Sequence, residues 1–344
     1  MRVIHLSRLD RGGGISAAYR LHCALRRLGV DSLMFVAERR SEDRTVLTFN
    51  APRDPISRVR RRLRVLRVGW EFGRYRRSRP PGYEAFSDDR TPYGSDSLVQ
   101  LPAADVVNVH SMFHFVDFGA FFRTIPKRVP VVRTLHDMSF FTGGCHLDAG
   151  CGKYANGCGQ CPQLGSRDGR DLSRRIWERK QSALEAVSQD RLYLVSPSRW
   201  LAEAVKHSPL VGRFHLSVIP HGVDTEIFAP RDRRFARKVL GIPQDAQVVI
   251  FVAEPISRPI KRFSLLTRAL QQISGRPELL LVTAGTGSAG LAVSVPHMHL
   301  GEIRNERLLS LVYSAADLAA VPSHQENFPL TVLEALACGV PVVG

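Results

Sequence analysis

Two carboxylates eight residues apart, Glu326 and Glu334, carry the most legible chemistry, in Pro322-Ser-His-Gln-Glu-Asn-Phe-Pro-Leu-Thr-Val-Leu-Glu-Ala-Leu-Ala-Cys-Gly-Val-Pro-Val-Val-Gly344. Pro329 suits the first turn of a helix, where its missing N–H does no harm, and Gly339 can take the left-handed conformation that ends one. The spacing therefore predicts a helix over Leu330–Cys338, with Glu334 about one turn inside and Glu326 on the loop ahead. Free backbone N–H groups at such a helix start favour a diphosphate. One carboxylate could then hold ribose hydroxyls while the other meets a transferred sugar. That combination suits a nucleotide-sugar site.

Four further groups could do chemistry. Cys145-x5-Cys151-x6-Cys158-x2-Cys161 lies in a glycine-rich loop over 143–163. Four thiolates can close a tetrahedral zinc site that stabilises such a loop, and in a reducing compartment a metal suits the cluster better than disulfides. Buried free cysteines or a redox role are the other readings, and a catalytic zinc lacks an open position and a partner base. Gly12-Gly13-Gly14 separates a strand from a helix and would let a phosphate or an acceptor approach the backbone, but it also reads as a plain tight turn. His136 and His110 each end a strand. Arg258 and Lys261 follow a third strand, and no Asp-x-Asp occurs in the chain, so positive side chains and a helix dipole are expected to serve a diphosphate in place of a divalent metal.

The elements that must position these groups alternate between strand and helix, which argues for an α/β fold with mainly parallel sheets. Strands are expected at Val3–Leu6, Val30–Ala37, Asp105–Val109, Val129–Leu135 and Leu192–Ser196, with a helix at Ile15–Leu28 whose apolar face is Ile15, Ala18, Leu21, Leu25 and Leu28. A second set begins near Gln247, with strands Val248–Ala253, Leu279–Ala284, Met298–Leu300, Leu318–Val321 and Val340–Val343 and helices Phe263–Ile273, Asn305–Ser314 and Leu330–Cys338. Two such sets in 344 residues imply two Rossmann-like domains, 1–228 and 229–344, with ligands beyond the carboxyl ends of the strands.

Five motifs taken in order resemble one family. Thr134-Leu-His136-Asp-Met-Ser-Phe-Phe-Thr-Gly-Gly-Cys-His, Val195-Ser-Pro-Ser-Arg-Trp, Ile219-Pro-His-Gly-Val-Asp224, Gly301-Glu-Ile and the C-terminal block are similar to the retaining glycosyltransferases of family 4, in the branch used for bacterial exopolysaccharides such as colanic acid. The resemblance implies a GT-B fold, two Rossmann-like domains facing a central cleft. It also implies that the second domain is incomplete, since relatives continue beyond the position of Gly344. It gives His136 and Glu326 the catalytic places, Glu334 the ribose, Arg258 and Lys261 the leaving diphosphate, and Asn327 and Phe328 further donor contacts. His110 and Gly12–Gly14 fall on the acceptor or phosphate side. Arg258 stands closer to Lys261 than the family's arginine does, and Arg262 follows the lysine where the family has glycine. The implied activity is transfer from a UDP- or GDP-linked sugar to a saccharide or lipid-linked saccharide, with no catalytic cofactor.

A formal net charge of +16 and a pI near 10.3 draw the chain toward phosphate-rich partners. Much of the excess lies in the basic insert over 53–80, where Val59, Leu63, Leu66 and Trp70 recur at helical spacing among arginines. Such a helix reads either as an anionic-membrane surface element or as a solvated helix packing its stripe on its own domain. No apolar run approaches a membrane span and no signal-peptide layout opens the chain, so the expected location is cytoplasmic, peripheral on the inner membrane face. The rival class is a basic, zinc-containing nucleic-acid-binding protein. Against it, the cysteine segment holds few positive charges and the arginine run lacks interleaved aromatics, so no nucleic acid is expected.

Overall fold

In the computed structural model, which describes residues 1–82, 85–273, 275–287 and 293–344, the chain forms two compact units. One comprises Met1–Arg11 and Ala18–Pro220; the other comprises Gly12–Ala17 with His221–Gly344.

The first part of the chain runs β1 (Arg2–Leu9), α1 (Ser16–Arg27), β2 (Asp31–Glu38), β3 (Val46–Thr48), α2 (Pro55–Gly73), α3 (Asp96–Val99), β4 (Val106–Val109), α4 (Phe118–Thr124), β5 (Val131–Thr134), α5 (Leu172–Glu185), β6 (Leu192–Ser196), α6 (Arg199–Lys206) and β7 (His215–Val218). Its strands form one sheet in the order β3-β2-β1-β4-β5-β6-β7, every pair parallel. Both faces of such a sheet are covered, so β1 buries Val3 through Ser7 without alternation. The core gathers Phe115, Phe121, Phe141 and Leu135 around the central strands.

The second part runs α7 (Arg233–Leu240), β8 (Gln247–Val252), α8 (Phe263–Gln271), β9 (Leu279–Ala284), β10 (His297–His299), α9 (Glu306–Ser314), β11 (Leu318–Ala320), α10 (Leu330–Ala337) and β12 (Val342–Val343). Its parallel sheet has the order β10-β9-β8-β11-β12. Successive residues of a strand face opposite sides, and here they feed two separate cores. Val248, Ile250, Leu280 and Val282 join one with Phe228 and Tyr313, while Val249, Phe251, Leu279 and Leu281 join the other with Phe263 and Ile256.

Two expectations need correction. Helix α1 starts at Ser16 and buries Ala18 and His22, whereas Leu21 and Leu28 are exposed. Leu28 lies past the last helical turn, so the apolar spacing overran the element. The apolar stripe of α2 does not pack on its own unit: Ile56, Val59, Leu63, Leu66 and Trp70 are all more than half exposed. The helix is held instead by its ends. Asp54 caps it by accepting from the Ser57 N–H at 2.9 Å, Glu71 accepts from Arg90 at 3.0 Å, and Phe72 and Tyr75 pack under Leu164, Leu172 and Ile176.

Candidate functional site

In the first unit, the strand ends of β1, β4 and β5 lie side by side, and their parallel register brings together three imidazoles. His5 lies inside β1, His110 directly follows β4, and His136 follows β5. The His110 N–H donates to the Leu6 carbonyl at 2.8 Å, which fixes the height of His110 beside β1. His5 Nδ1 stands 3.0 Å from His110 Nε2, and His110 Nδ1 stands 3.0 Å from His136 Nε2. The expected strand-end pair is therefore a bonded pair, and His5 extends it inward. His5 escaped the sequence reading; its signal was a lone polar ring inside a strand otherwise made of apolar residues and Ser7.

A second array follows His136 directly. Asp137 Oδ2 meets His146 Nδ1 at 2.7 Å, the Ser139 N–H donates to Asp137 Oδ1 at 2.8 Å, and His146 Nε2 stands 2.8 Å from Ser87 Oγ. Burial alone would raise the Asp137 carboxyl, but the His146 charge and the hydrogen bonds from His146 and Ser139 outweigh it and hold it well below the usual carboxylate range. Asp137 thus ties the loop after His136 to the start of the cysteine segment. Lys180 closes the same region from α5. Its ammonium donates to the carbonyls of Ser139 at 2.5 Å and Thr142 at 2.9 Å, and burial lowers its pKa.

Cys145, Cys151, Cys158 and Cys161 line one concavity with an empty volume of about 300 Å³, together with Asp148 and Tyr154. Burial pushes Cys158 up to about 12 and also raises Cys145 and Cys161, so these three side chains are neutral thiols. The donor chemistry suits zinc. As the side chains lie, however, no three His, Cys, Asp or Glu residues among the described residues are placed to hold a metal ion.

In the second unit, Lys261 and Glu326 come together as an ion pair, Nζ to Oε1 at 2.5 Å. The backbone prepares this meeting. Pro259–Lys261 forms a single 3-10 turn after β8, and the His324 N–H donates to the Ile260 carbonyl at 2.8 Å, which ties the two loops. Arg262, which follows the lysine, sits at φ 48°, the left-handed region where glycine is unstrained. Arg258 precedes the same turn and is half-buried.

Glu326, Asn327 and Phe328 occupy the loop before α10, and the Phe328 ring packs edge-on against His221 at 5.7 Å between centroids. Pro329 sits one residue ahead of its expected place, as the N-cap of α10, and Gly339 at φ 75° follows the C-cap Cys338. Glu334 lies in the second turn and is buried, its Oε2 accepting from the Tyr313 hydroxyl at 3.2 Å. Glu334 and Glu326 thus occupy different settings, one braced from α9 and one paired to a lysine. In the glycine loop, Gly12 and Gly13 have positive φ and a 3-10 turn spans Gly13–Ile15.

Comparison with known proteins bears on the second part of the chain and on the fold. Residues 232–344 match the family of glycosyl transferases group 1. Among curated proteins, the D-inositol 3-phosphate glycosyltransferase of Geodermatophilus obscurus is 37% identical over 148 residues, covering 37% of this chain and 32% of that protein. The protein of the same description from Mycolicibacterium smegmatis is 37% identical over 144 residues, covering 38% and 32%. The chain thus spans about a third of the length of these relatives. Among solved structures, sucrose-phosphate synthase from Thermosynechococcus elongatus superposes with a TM-score of 0.58 at 17% identity, covering 99% of this chain and 80% of that one. Anabaena HepE in complex with UDP and glucose gives 0.57 at 16%, covering 100% and 80%. WaaG, a glycosyltransferase involved in lipopolysaccharide biosynthesis, gives 0.57 at 16%, covering 99% and 80%. At such identities the likeness is one of fold: two α/β domains with parallel sheets, as in the GT-B glycosyltransferases.

Proposed function

We propose that this chain is a retaining glycosyltransferase that moves a sugar from a nucleotide diphosphate sugar to a saccharide or lipid-linked saccharide acceptor. The observation that carries the reading is the Lys261–Glu326 pair in front of α10, inside the region that matches the group 1 family. In the free protein the two charges neutralise each other. A donor diphosphate would compete for the Lys261 ammonium, with Arg258 nearby in sequence, and would free Glu326 to accept from sugar hydroxyls. Positive side chains in this role stabilise the charge that develops as the sugar–phosphate bond breaks. Retention in this scheme follows front-face attack, in which a leaving phosphate oxygen takes the acceptor's proton. Glu334 would hold the ribose, and Asn327 and Phe328 would complete the donor contacts. HepE, which shares the fold, was solved with UDP and glucose, which favours a UDP-linked donor. The curated relatives are named for D-inositol 3-phosphate, so phosphorylated polyols belong in the acceptor panel beside saccharides of the exopolysaccharide type.

Incubation with UDP- and GDP-sugars and that panel, with the product anomer read by NMR, tests the proposal. Transfer with retained anomeric configuration supports it. Absence of nucleotide-sugar binding or an inverted product overturns it.

The exposed face of α2 supports docking on an anionic bilayer: its six arginines accompany an apolar stripe, Ile56, Val59, Leu63, Leu66 and Trp70, that is more than half exposed. Apolar side chains can enter the headgroup boundary while arginines meet lipid phosphates. Among the described residues no helix is long and apolar enough to cross a membrane, so the association proposed is peripheral. The cysteine loop is proposed as a structural zinc site on its donor chemistry, four thiols around one concavity; binding would require the sulfurs to draw in to about 2.3 Å from the ion.

A further inference from the structure

Arg133 is a buried cation whose two-pronged edge meets no acceptor among the described residues. It lies in β5 at 3% exposure, and its one hydrogen bond there runs from Nη1 to the Val109 carbonyl at 3.2 Å. Nε is buried and has no partner. Nε and Nη2 form the side of a guanidinium that grips an anion through two parallel hydrogen bonds. Two neighbouring arginines show that edge in use. Arg90 donates from Nε and Nη2 to the two oxygens of Asp88, each at 2.8 Å, and Arg179 donates from the same two atoms to Asp89 at 3.1 and 2.5 Å. Arg133 has no such carboxylate. Its guanidinium carbon lies 4.9 Å from the Phe140 ring centroid, and Asp137, which acts on it electrostatically, is bonded to His146 and Ser139 instead.

Arg133 lines a concavity with an empty volume of about 370 Å³, together with Asp88, Asp89, Phe118, Phe140 and Lys180. Lys180 is a second buried cation with no ion pair among the described residues. Two of its three N–H groups go to the Ser139 and Thr142 carbonyls, which leaves one. The two carboxylates of the wall are each matched by an arginine already: Asp88 accepts from Arg90 and Arg179, and Asp89 from Arg179. Arg133 and Lys180 are therefore the unmatched charges. Burying a charge without a partner is costly. Burial lowers Arg133 to about 10, against the Asp137 charge, so the guanidinium remains charged at neutral pH and the cost stands.

We infer that this concavity is an anion site of the first unit, in which the Nε–Nη2 edge of Arg133 grips the carboxylate or phosphate of a small organic molecule. Lys180 supplies the second positive charge, and the Phe118 and Phe140 rings contact the body of the ligand. The volume lies near the lower end for small-molecule pockets, which suits a single sugar acid or sugar phosphate. Every lining residue belongs to the first unit, whereas Lys261, Glu326 and Glu334 belong to the second, so the site shares no residue with the proposed donor groups. The inference holds whether or not the chain transfers sugar.

Calorimetric titration of the full chain at physiological ionic strength tests it, with inorganic phosphate, D-glucuronate and, as the neutral control, D-glucose. At least one of the two anions is expected to bind at one site per chain, more tightly than glucose. Binding of phosphate alone assigns a phosphate ester to the site, and binding of glucuronate alone assigns a carboxylate. Arg133→Met keeps the length of the side chain without the charge and should weaken binding at least about tenfold, the scale of hydrogen bonds to a charged group. Arg133→Lys keeps the charge without the fork and should fall between the two; it is read in place of Arg133→Met should the latter not fold. Lys261→Ala should leave the affinity unchanged, which separates this site from phosphate binding at the proposed diphosphate groups. The inference is overturned by failure of both anions to bind, by glucose binding as tightly as glucuronate, or by wild-type affinity in the folded Arg133 variant. Loss of the binding in Lys261→Ala overturns it as well.

Discussion

At the scale of residues, burial separates the two glutamates that sequence spacing presents as a pair. Glu326 is a loop carboxylate paired to Lys261, so Glu326→Gln should abolish transfer at a stability cost of about 1 kcal/mol or less, typical of a partly exposed ion pair; near-normal turnover would remove Glu326 from the site. Glu334 is buried against the Tyr313 hydroxyl, so Glu334→Gln should weaken nucleotide binding by about 1–3 kcal/mol, the range for charged hydrogen bonds. Tyr313→Phe should weaken it less, because only the brace is lost. Equal nucleotide affinity across these variants in calorimetric titration would show that Glu334 is a purely structural contact. The buried histidines add a pH dependence. Burial lowers His5 to about 3 and His22 to about 4 from 6.5, so below 6.5 the unfolded chain binds protons that the folded one refuses. Stability is therefore full above that pH and falls as pH drops, until the folded groups titrate near 4 and 3. Around pH 5 both contribute, giving a slope of roughly 2 kcal/mol per pH unit. Urea unfolding at pH 5 and 6 measures it, and an uptake well under one proton would contradict the neutral assignments.

At the scale of elements, the second unit shows why some of the structure is readable in sequence and some is not. Strands β8 and β9 and helix α10 are legible because continuous apolar runs and a Pro–Gly frame follow directly from burial and chain geometry. Helices α4, α5, α6 and α7 are not anticipated, although Asp117, Asp171, Ser198 and Asp232 each cap one by accepting from a backbone N–H three residues on. Their signal was the cap, a Ser or Asp three residues ahead of the N–H it accepts from, which a reading built on apolar runs passed over. Lys261 with Glu326 is legible as two motifs but not as a contact, since 65 residues separate them and the meeting depends on the His324 tie to Ile260. Helix α2 is legible in shape, and only the structure shows which way its stripe faces. Binding to anionic vesicles should therefore fall with added salt, and neutralising Arg60, Arg61, Arg62 and Arg64 should release the protein at about 1 kcal/mol per charge near the surface; equal binding by the variant would end the docking proposal. For the cysteine loop, about one zinc per chain is expected in protein purified without added metal, with Cys158→Ser lowering both zinc content and thermal stability. A well-folded, metal-free sample would leave four free thiols, of which Cys161 is buried, as the whole account.

At the scale of the whole molecule, the decisive feature is that each unit has hydrophobic cores of its own. Among the described residues, Phe115, Phe121 and Phe141 anchor a core whose fully buried members all precede 215, while Phe228, Tyr313 and Phe251 anchor cores whose fully buried members all follow 227. Each sheet thus has its own source of burial, and two units of this kind can unfold at different temperatures; a single all-or-none transition is not required of them. The proposed donor groups Lys261, Glu326 and Glu334 all belong to the second unit. A ligand that binds only the folded form stabilises it by about 2.7 kcal/mol at a hundred times its dissociation constant. Scanning calorimetry should therefore resolve two transitions, of which saturating UDP raises one and leaves the other nearly in place. Glu334→Gln should shrink that shift, whereas His5→Leu should lower the transition that UDP leaves unmoved. A nucleotide that raises both transitions equally, or a Glu334→Gln variant that keeps the full shift, would place the nucleotide somewhere other than the second sheet.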